Sequence, residues 1–205
     1  MLLCHSTHIV MTKEVAETEM HAAKRLQEAI RQETGLILPF SVGEVREGDL
    51  SLGIVKTLPE QTYEITIDEK GGQISGGDGA GVLYGVETFC QIVQQCGGIL
   101  PCVQIQDAPD MPNRGYYFDQ TRGRVLKLEE LKKIADRMSR YKLNQLQLYV
   151  EHTYLFRDFS EMWRDQTPLT AEEIRELDAY CAKLHIELVP SIATFGHLYM
   201  LLSTK

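Results

Sequence analysis

The chain has 205 residues, with 21 Lys and Arg against 29 Asp and Glu and a formal charge of −8. Such an acidic balance argues against a phosphate-backbone binder, which needs clustered positive charge, so no nucleic acid partner is expected. With 43% hydrophobic residues the chain can fill a core, and no run approaches the roughly 20 apolar residues of a membrane span, so no membrane partner is expected either.

The five cysteines, Cys4, Cys90, Cys96, Cys102 and Cys181, are odd in number and form neither a C-x-x-C pair nor a zinc-finger spacing with histidine. Cys90 and Cys181 fall on apolar faces of predicted helices, where a free thiol behaves as a small hydrophobe. The first ten residues lack the basic start and apolar length of a signal peptide. A reducing cytoplasm is the expected compartment, with secretion the alternative if a leader has been removed. No metal-ligand cluster is visible and no cofactor is implied.

Residues 8–13 are β-prone, and Ala16, Met20, Ala23, Leu26 and Ile30 then recur at helical spacing until Gly35. Residues 36–42, 50–55 and 63–68 read as strands, and Lys70-Gly71-Gly72 supplies a hairpin turn into Gln73-Ile74-Ser75. Residues 76–81, Gly-Gly-Asp-Gly-Ala-Gly, read as a flexible break. They superficially resemble a phosphate-binding loop but lack its G-K-S/T ending, so a turn is the preferred reading. A helix is predicted over residues 82–95, ended by Gly97-Gly98. This pattern predicts a small α+β domain over residues 1–107.

The Pro-containing segment 107–113 reads as a linker, and the rhythm changes after it. Residues 116–118 look like a buried strand, and Leu128, Leu131, Ile134, Ala135, Met138 and Tyr141 line one helix face. Residues 145–151 alternate as a strand, Thr170 and Glu173 form a capping box, and residues 187–192 make a third strand. A β-α-β-α-β order with short connections predicts parallel strands, opening either a doubly wound sheet or a (β/α)8 barrel.

Several segments together resemble glycoside hydrolase family 20, the β-N-acetylhexosaminidases. They are Gly81-Val-Leu-Tyr-Gly-Val-Glu-Thr-Phe-Cys-Gln91, Asp107-Ala-Pro109, Arg114-Gly-Tyr-Tyr-Phe-Asp-Gln-Thr-Arg122, Tyr141-Lys-Leu-Asn144, Pro168-Leu-Thr170 and Gly196-His197. The resemblance implies an α/β fold in which a small α+β accessory domain (1–107) precedes the first three β/α units of a (β/α)8 catalytic barrel (108–205). It also implies a glycan partner bearing terminal N-acetylhexosamine.

In that family the substrate's own acetamido oxygen attacks the anomeric carbon, an Asp steadies the resulting charge, and the adjacent Glu serves as acid and base. That Asp-Glu pair follows the fourth barrel strand. This sequence reaches Lys205 just after the third, and no Asp-Glu dipeptide follows Arg114. No catalytic residue is therefore named, and the chain as given is expected to be inactive whatever its parent does. Barrel edges left unpaired would be expected to promote self-association.

Among the residues present, the resemblance assigns Arg114 to the sugar's outer hydroxyls, a task suited to a fixed fork of donors. It assigns His197 to the histidine of the family's P-E-I-D-x-P-G-H signature, although here the segment reads Pro190-Ser-Ile-Ala-Thr-Phe-Gly-His197 and lacks both carboxylates. That departure indicates a divergent branch. Glu151 and His152 close the second strand at the position of a barrel-mouth polar group. Asp119 and Arg122 read as an ion pair fixing the first loop, and Tyr154, Phe156, Phe159 and Trp163 as core aromatics or a sugar-stacking loop. Two alternatives stand beside a hexosaminidase: a non-catalytic glycan- or protein-binding module, and a different sugar-active barrel enzyme.

Overall fold

The computed structural model describes residues 1–163, 167–193, 196–197 and 199–202. The chain divides into two compact units, Met1–Pro112 and Asn113–Lys205. Among the described residues, no helix is long and apolar enough to cross a membrane.

In the first unit β1 (Ile9–Met11) leads into α1 (Lys13–Thr18) and α2 (Met20–Thr34). A single helical periodicity covers both, but Glu19 leaves the helical region at φ −118° and separates them. Thr12 caps α1 by accepting from Val15 N, and Gly35 ends α2 at φ +75°, a conformation that costs glycine little. Next come β2 (Phe40–Val42), β3 (Leu50–Ile54), β4 (Tyr63–Ile67), β5 (Gly72–Gly76), α3 (Gly79–Cys96) and β6 (Val103–Asp107).

The strands form one sheet ordered β2-β1-β3-β5-β4-β6. The hairpin of β4 and β5 is antiparallel, as is β4 with β6, whereas β2, β1, β3 and β5 run parallel. The crossovers through α2 and through β4 make those parallel neighbours, which strand periodicity alone does not reveal. Ile9, Leu52, Ile65 and Ile74 from the sheet pack with Leu26 and Ile30 of α2 and Leu83 and Phe89 of α3 in one dry cluster. Cys90 is buried as well.

The glycine run at 76–81 is not a flexible break. β5 extends through Gly76, and a Cβ on Gly77 would lie 1.9 Å from the Pro59 carbonyl oxygen. Asp78 Oδ1 accepts from Gly81 N at 2.7 Å and from Gln61 N at 3.0 Å, which caps α3. A carboxylate thus already takes the helix-start N–H that a phosphate would need.

The second unit runs β7 (Gly115–Asp119), α4 (Leu128–Arg140), β8 (Gln145–Tyr149), α5 (Ser160–Trp163), α6 (Ala171–Lys183), β9 (Glu187–Ser191) and α7 (Tyr199–Leu202). The strands are parallel in the order β7-β8-β9, with Gly115 level with Gln145 and Glu187 at one end and Asp119 level with Tyr149 and Ser191 at the other. Leu131, Ala135 and Met138 of α4 meet Leu146 and Leu148 of β8 and Leu177 and Cys181 of α6. The Thr170–Glu173 capping box is formed in full.

Two expectations fail here. Tyr116 and Tyr117 are 43% and 52% exposed, because β7 is an edge strand with β8 on one side only. Tyr141 is the residue after α4 rather than part of its buried stripe, and it is exposed.

Candidate active site

Parallel strands joined by helices gather their following loops at one end of the sheet, and in this unit that end carries most of the chemistry. The loop after β7 holds Thr121 and Arg122, and the segment after β8 holds Glu151 and His152. Gln120, fully buried, fastens the first loop. Its backbone N donates to the Tyr149 carbonyl at 3.1 Å, while its Oε1 accepts from Leu126 N at 2.8 Å and its Nε2 donates to Leu126 O at 3.3 Å.

Arg122 forks onto Glu151, Nη1 to Oε2 at 3.2 Å and Nη2 to Oε1 at 3.1 Å. The guanidinium is half exposed, whereas Glu151 is only 4% exposed. Tyr149 OH also donates to Glu151 Oε1, at 2.6 Å, and its ring stacks on Tyr117. Arg122 Nη1 further donates to Thr121 Oγ1, and Arg122 Nη2 donates to His197 Nδ1 at 3.1 Å. Asp119 binds Thr121 rather than Arg122, accepting from both its N and its hydroxyl at 2.7 Å.

Burial alone would raise the Glu151 pKa, but the bonds from Arg122 and Tyr149 outweigh it and hold the carboxyl below its ordinary value. Asp119 behaves likewise, its burial outweighed by the two Thr121 bonds and by nearby positive charge. Tyr149, bonded to the Glu151 carboxylate and buried, is pushed up to about 12. The cluster is therefore a buried carboxylate with a charged guanidinium and a neutral phenol bound to it.

The structure brings together Glu151, His152 and His197 but not Arg114. His152 Nδ1 lies 3.8 Å from Glu151 Oε2, beyond hydrogen-bond distance, and this buried nitrogen has no partner among the described residues. Arg114 precedes β7 and so sits at the opposite end of the sheet, roughly 16 Å from the strand's far end at about 3.3 Å per residue. Its Nε donates to Lys142 O and its backbone N to Asn144 Oδ1, both at 2.7 Å, which binds the start of β7 to the start of β8. Arg122, read from sequence as a structural ion-pair residue, is the arginine at the loop end. The signal for it was strand direction: the two arginines stand eight positions apart, and only the second follows the strand.

Of the loop's aromatics Phe159 is exposed, whereas Tyr154, Phe156 and Trp163 are partly buried. Tyr154 and Phe156 meet edge to face at 4.9 Å, Trp163 Nε1 donates to Phe156 O, and both of the former line an apolar groove of about 460 Å³ with Ile174, Leu188 and Pro190. Part of the connection to His197, residues 194 and 195, lies outside the described residues.

Residues 2–108 match the family model described as glycosyl hydrolase family 20, domain 2. A beta-hexosaminidase of Akkermansia muciniphila is 31% identical over 82% of this chain and 36% of its own length, and one of Porphyromonas gingivalis is 27% identical over 89% and 27%. The chain thus spans about a third of the length of these curated relatives. Among solved structures, the Streptomyces plicatus N-acetyl-beta-hexosaminidase in complex with Thio-NAglucal superposes with a TM-score of 0.84 at 23% identity, covering 98% of this chain and 44% of that one. A family 20 beta-N-acetylglucosaminidase gives a TM-score of 0.78 at 26% identity, covering 98% and 40%. With more than half of its residues matched by the family model and a mixed α/β fold shared with solved members, the chain belongs to glycosyl hydrolase family 20.

Proposed function

We propose that this chain is the N-terminal portion of a glycosidase that removes terminal N-acetylhexosamine by substrate-assisted retaining catalysis, with the second unit contributing the first three β/α units of a (β/α)8 barrel. The observation that carries this reading is the convergence of Arg122, Glu151 and His197 beyond the C-terminal ends of parallel strands. Barrel enzymes place substrate there. In this reading those three residues, with His152 beside them, face the sugar's outer hydroxyls, and Arg114 is a structural residue of the opposite end.

The acetamido group supplies the nucleophile, so the protein must supply an acid and base and a carboxylate that steadies the charged ring. Neither is assigned to a residue of this chain, because no Asp-Glu dipeptide follows Arg114. The 205 residues alone should not turn over a nitrophenyl N-acetylglucosaminide. The same residues continued by the downstream coding sequence should do so, with inhibition by a thiazoline mimic of the intermediate. Rapid turnover by the 205-residue chain, or thiazoline-insensitive turnover by the extended protein, would refute the proposal. Sugar or protein binding without turnover in the extended protein would favour a binding module instead.

A further inference from the structure

Residues 107–112 carry the two prolines that mark a linker, yet both ends of this segment are bonded within the first unit. At its start, Asp107 stands level with Tyr63 across the β4–β6 pair, and Tyr63 OH donates to Asp107 Oδ2 at 2.7 Å. A phenol has one hydrogen, so the Thr88 hydroxyl, 2.8 Å away on α3, donates to the Tyr63 oxygen in turn. Tyr63 is buried, which shelters its bonds from competition by water.

At the far end, the Pro112 carbonyl accepts from Gln61 Nε2 at 3.2 Å. Gln61 lies at φ +61°, in the left-handed region that side chains other than glycine occupy uncommonly. Its backbone N donates to Asp78 Oδ1, the carboxylate that also caps α3. The helix cap thus holds the residue that holds Pro112. Between these two pins the chain is stiff in itself. Pro109 and Pro112 fix their own φ, and Ala108 and Met111, each preceding a proline, are confined to extended backbone, so within 108–112 only Asp110 keeps ordinary freedom.

We propose that Tyr63 and Gln61 clasp residues 107–112 to the first unit as a rigid strap, so that the chain leaves this unit from a fixed point at Pro112 rather than through a flexible connector. Both are positioning residues for the strap. No bound sugar is needed for it, so it stands or falls apart from the glycosidase reading above.

Backbone ¹⁵N relaxation of the 205-residue chain reports picosecond-to-nanosecond order residue by residue. Ala108, Asp110 and Met111 should show order parameters of about 0.85, as rigid backbone does. In the double variant Gln61→Ala with Tyr63→Phe these should fall to about 0.6 or below, while the amides of α3 and β4 keep their values. Low order in the intact chain would overturn the proposal. So would unchanged order in the folded double variant, since proline stiffness would then be the whole cause. Should the double variant not fold, Gln61→Ala alone decides, through loosening or its absence at Asp110 and Met111.

Discussion

Arg122 and Glu151, 29 residues apart, are joined by two nearly equal hydrogen bonds of 3.1 and 3.2 Å that tie the loop after β7 to the segment after β8. The fork leaves neither carboxylate oxygen of a nearly buried residue without a donor.

Breaking that pair should cost stability in proportion to what it leaves behind. Arg122→Ala strands a buried carboxylate, partly relieved by water where the guanidinium was exposed, and should lower the stability of the second unit. The double variant with Glu151→Ala should lose less than the two single losses added together. Urea titrations of the four proteins measure the coupling, and strict additivity would contradict a direct interaction.

Tyr149 predicts an alkaline limit. Its pKa rises from 10.0 to about 12 on folding, so the protonated phenol is the form the fold favours. The stability it contributes is complete below pH 10.0 and disappears as pH rises toward about 12. Tyr149→Phe should flatten this part of the stability profile relative to the unaltered chain. Parallel profiles in thermal melts across that window would exclude the effect.

Gly77 tests the close packing of the first unit. A methyl group there meets the Pro59 carbonyl oxygen at 1.9 Å, and backbone cannot step aside cheaply. Gly77→Ala should lose about 3 kcal/mol, whereas a Cβ on Gly98 meets nothing closer than 3.6 Å and Gly98→Ala should be nearly neutral. Equal losses from the two would show that space at Gly77 is not limiting.

Cys4 should be the most readily alkylated thiol near neutral pH. It is exposed, and hydrogen bonds led by Ser6 bring its pKa down to about 7, whereas burial drives Cys181 up to about 12. Iodoacetamide labelling followed by peptide mass spectrometry should mark Cys4 first and Cys181 only on unfolding. Early labelling of Cys181 would reverse that order.

Self-association of the 205-residue chain through its second unit is an expected outcome. Tyr116 and Tyr117 on β7 and the groove along β9 offer apolar surface beside edge strands. Light scattering of the 205-residue chain should show mass rising with concentration, and the extended protein should not. A concentration-independent monomer would count against it.

Much of the fold was legible because local rules dominate it: the αL glycine after α2, the Thr170 capping box, the β4–β5 hairpin and the apolar stripes of α4 and α6 each arise from neighbours in sequence. Exposure was less legible. Tyr116 and Tyr117 have the side chains of a buried strand, yet whether a strand is covered depends on what lies beside it.

By itself, the sequence determined the family, the order of elements and the residue types available for chemistry, since these depend on pattern and short-range propensity. Only the tertiary structure decided which residues meet. Arg114 and Arg122 are the same kind of side chain eight positions apart. A five-residue strand between them carries one to Lys142 and Asn144 and the other to Glu151 and His197. Strand direction, through the loops it gathers at each end of a parallel sheet, separates a brace from a candidate site.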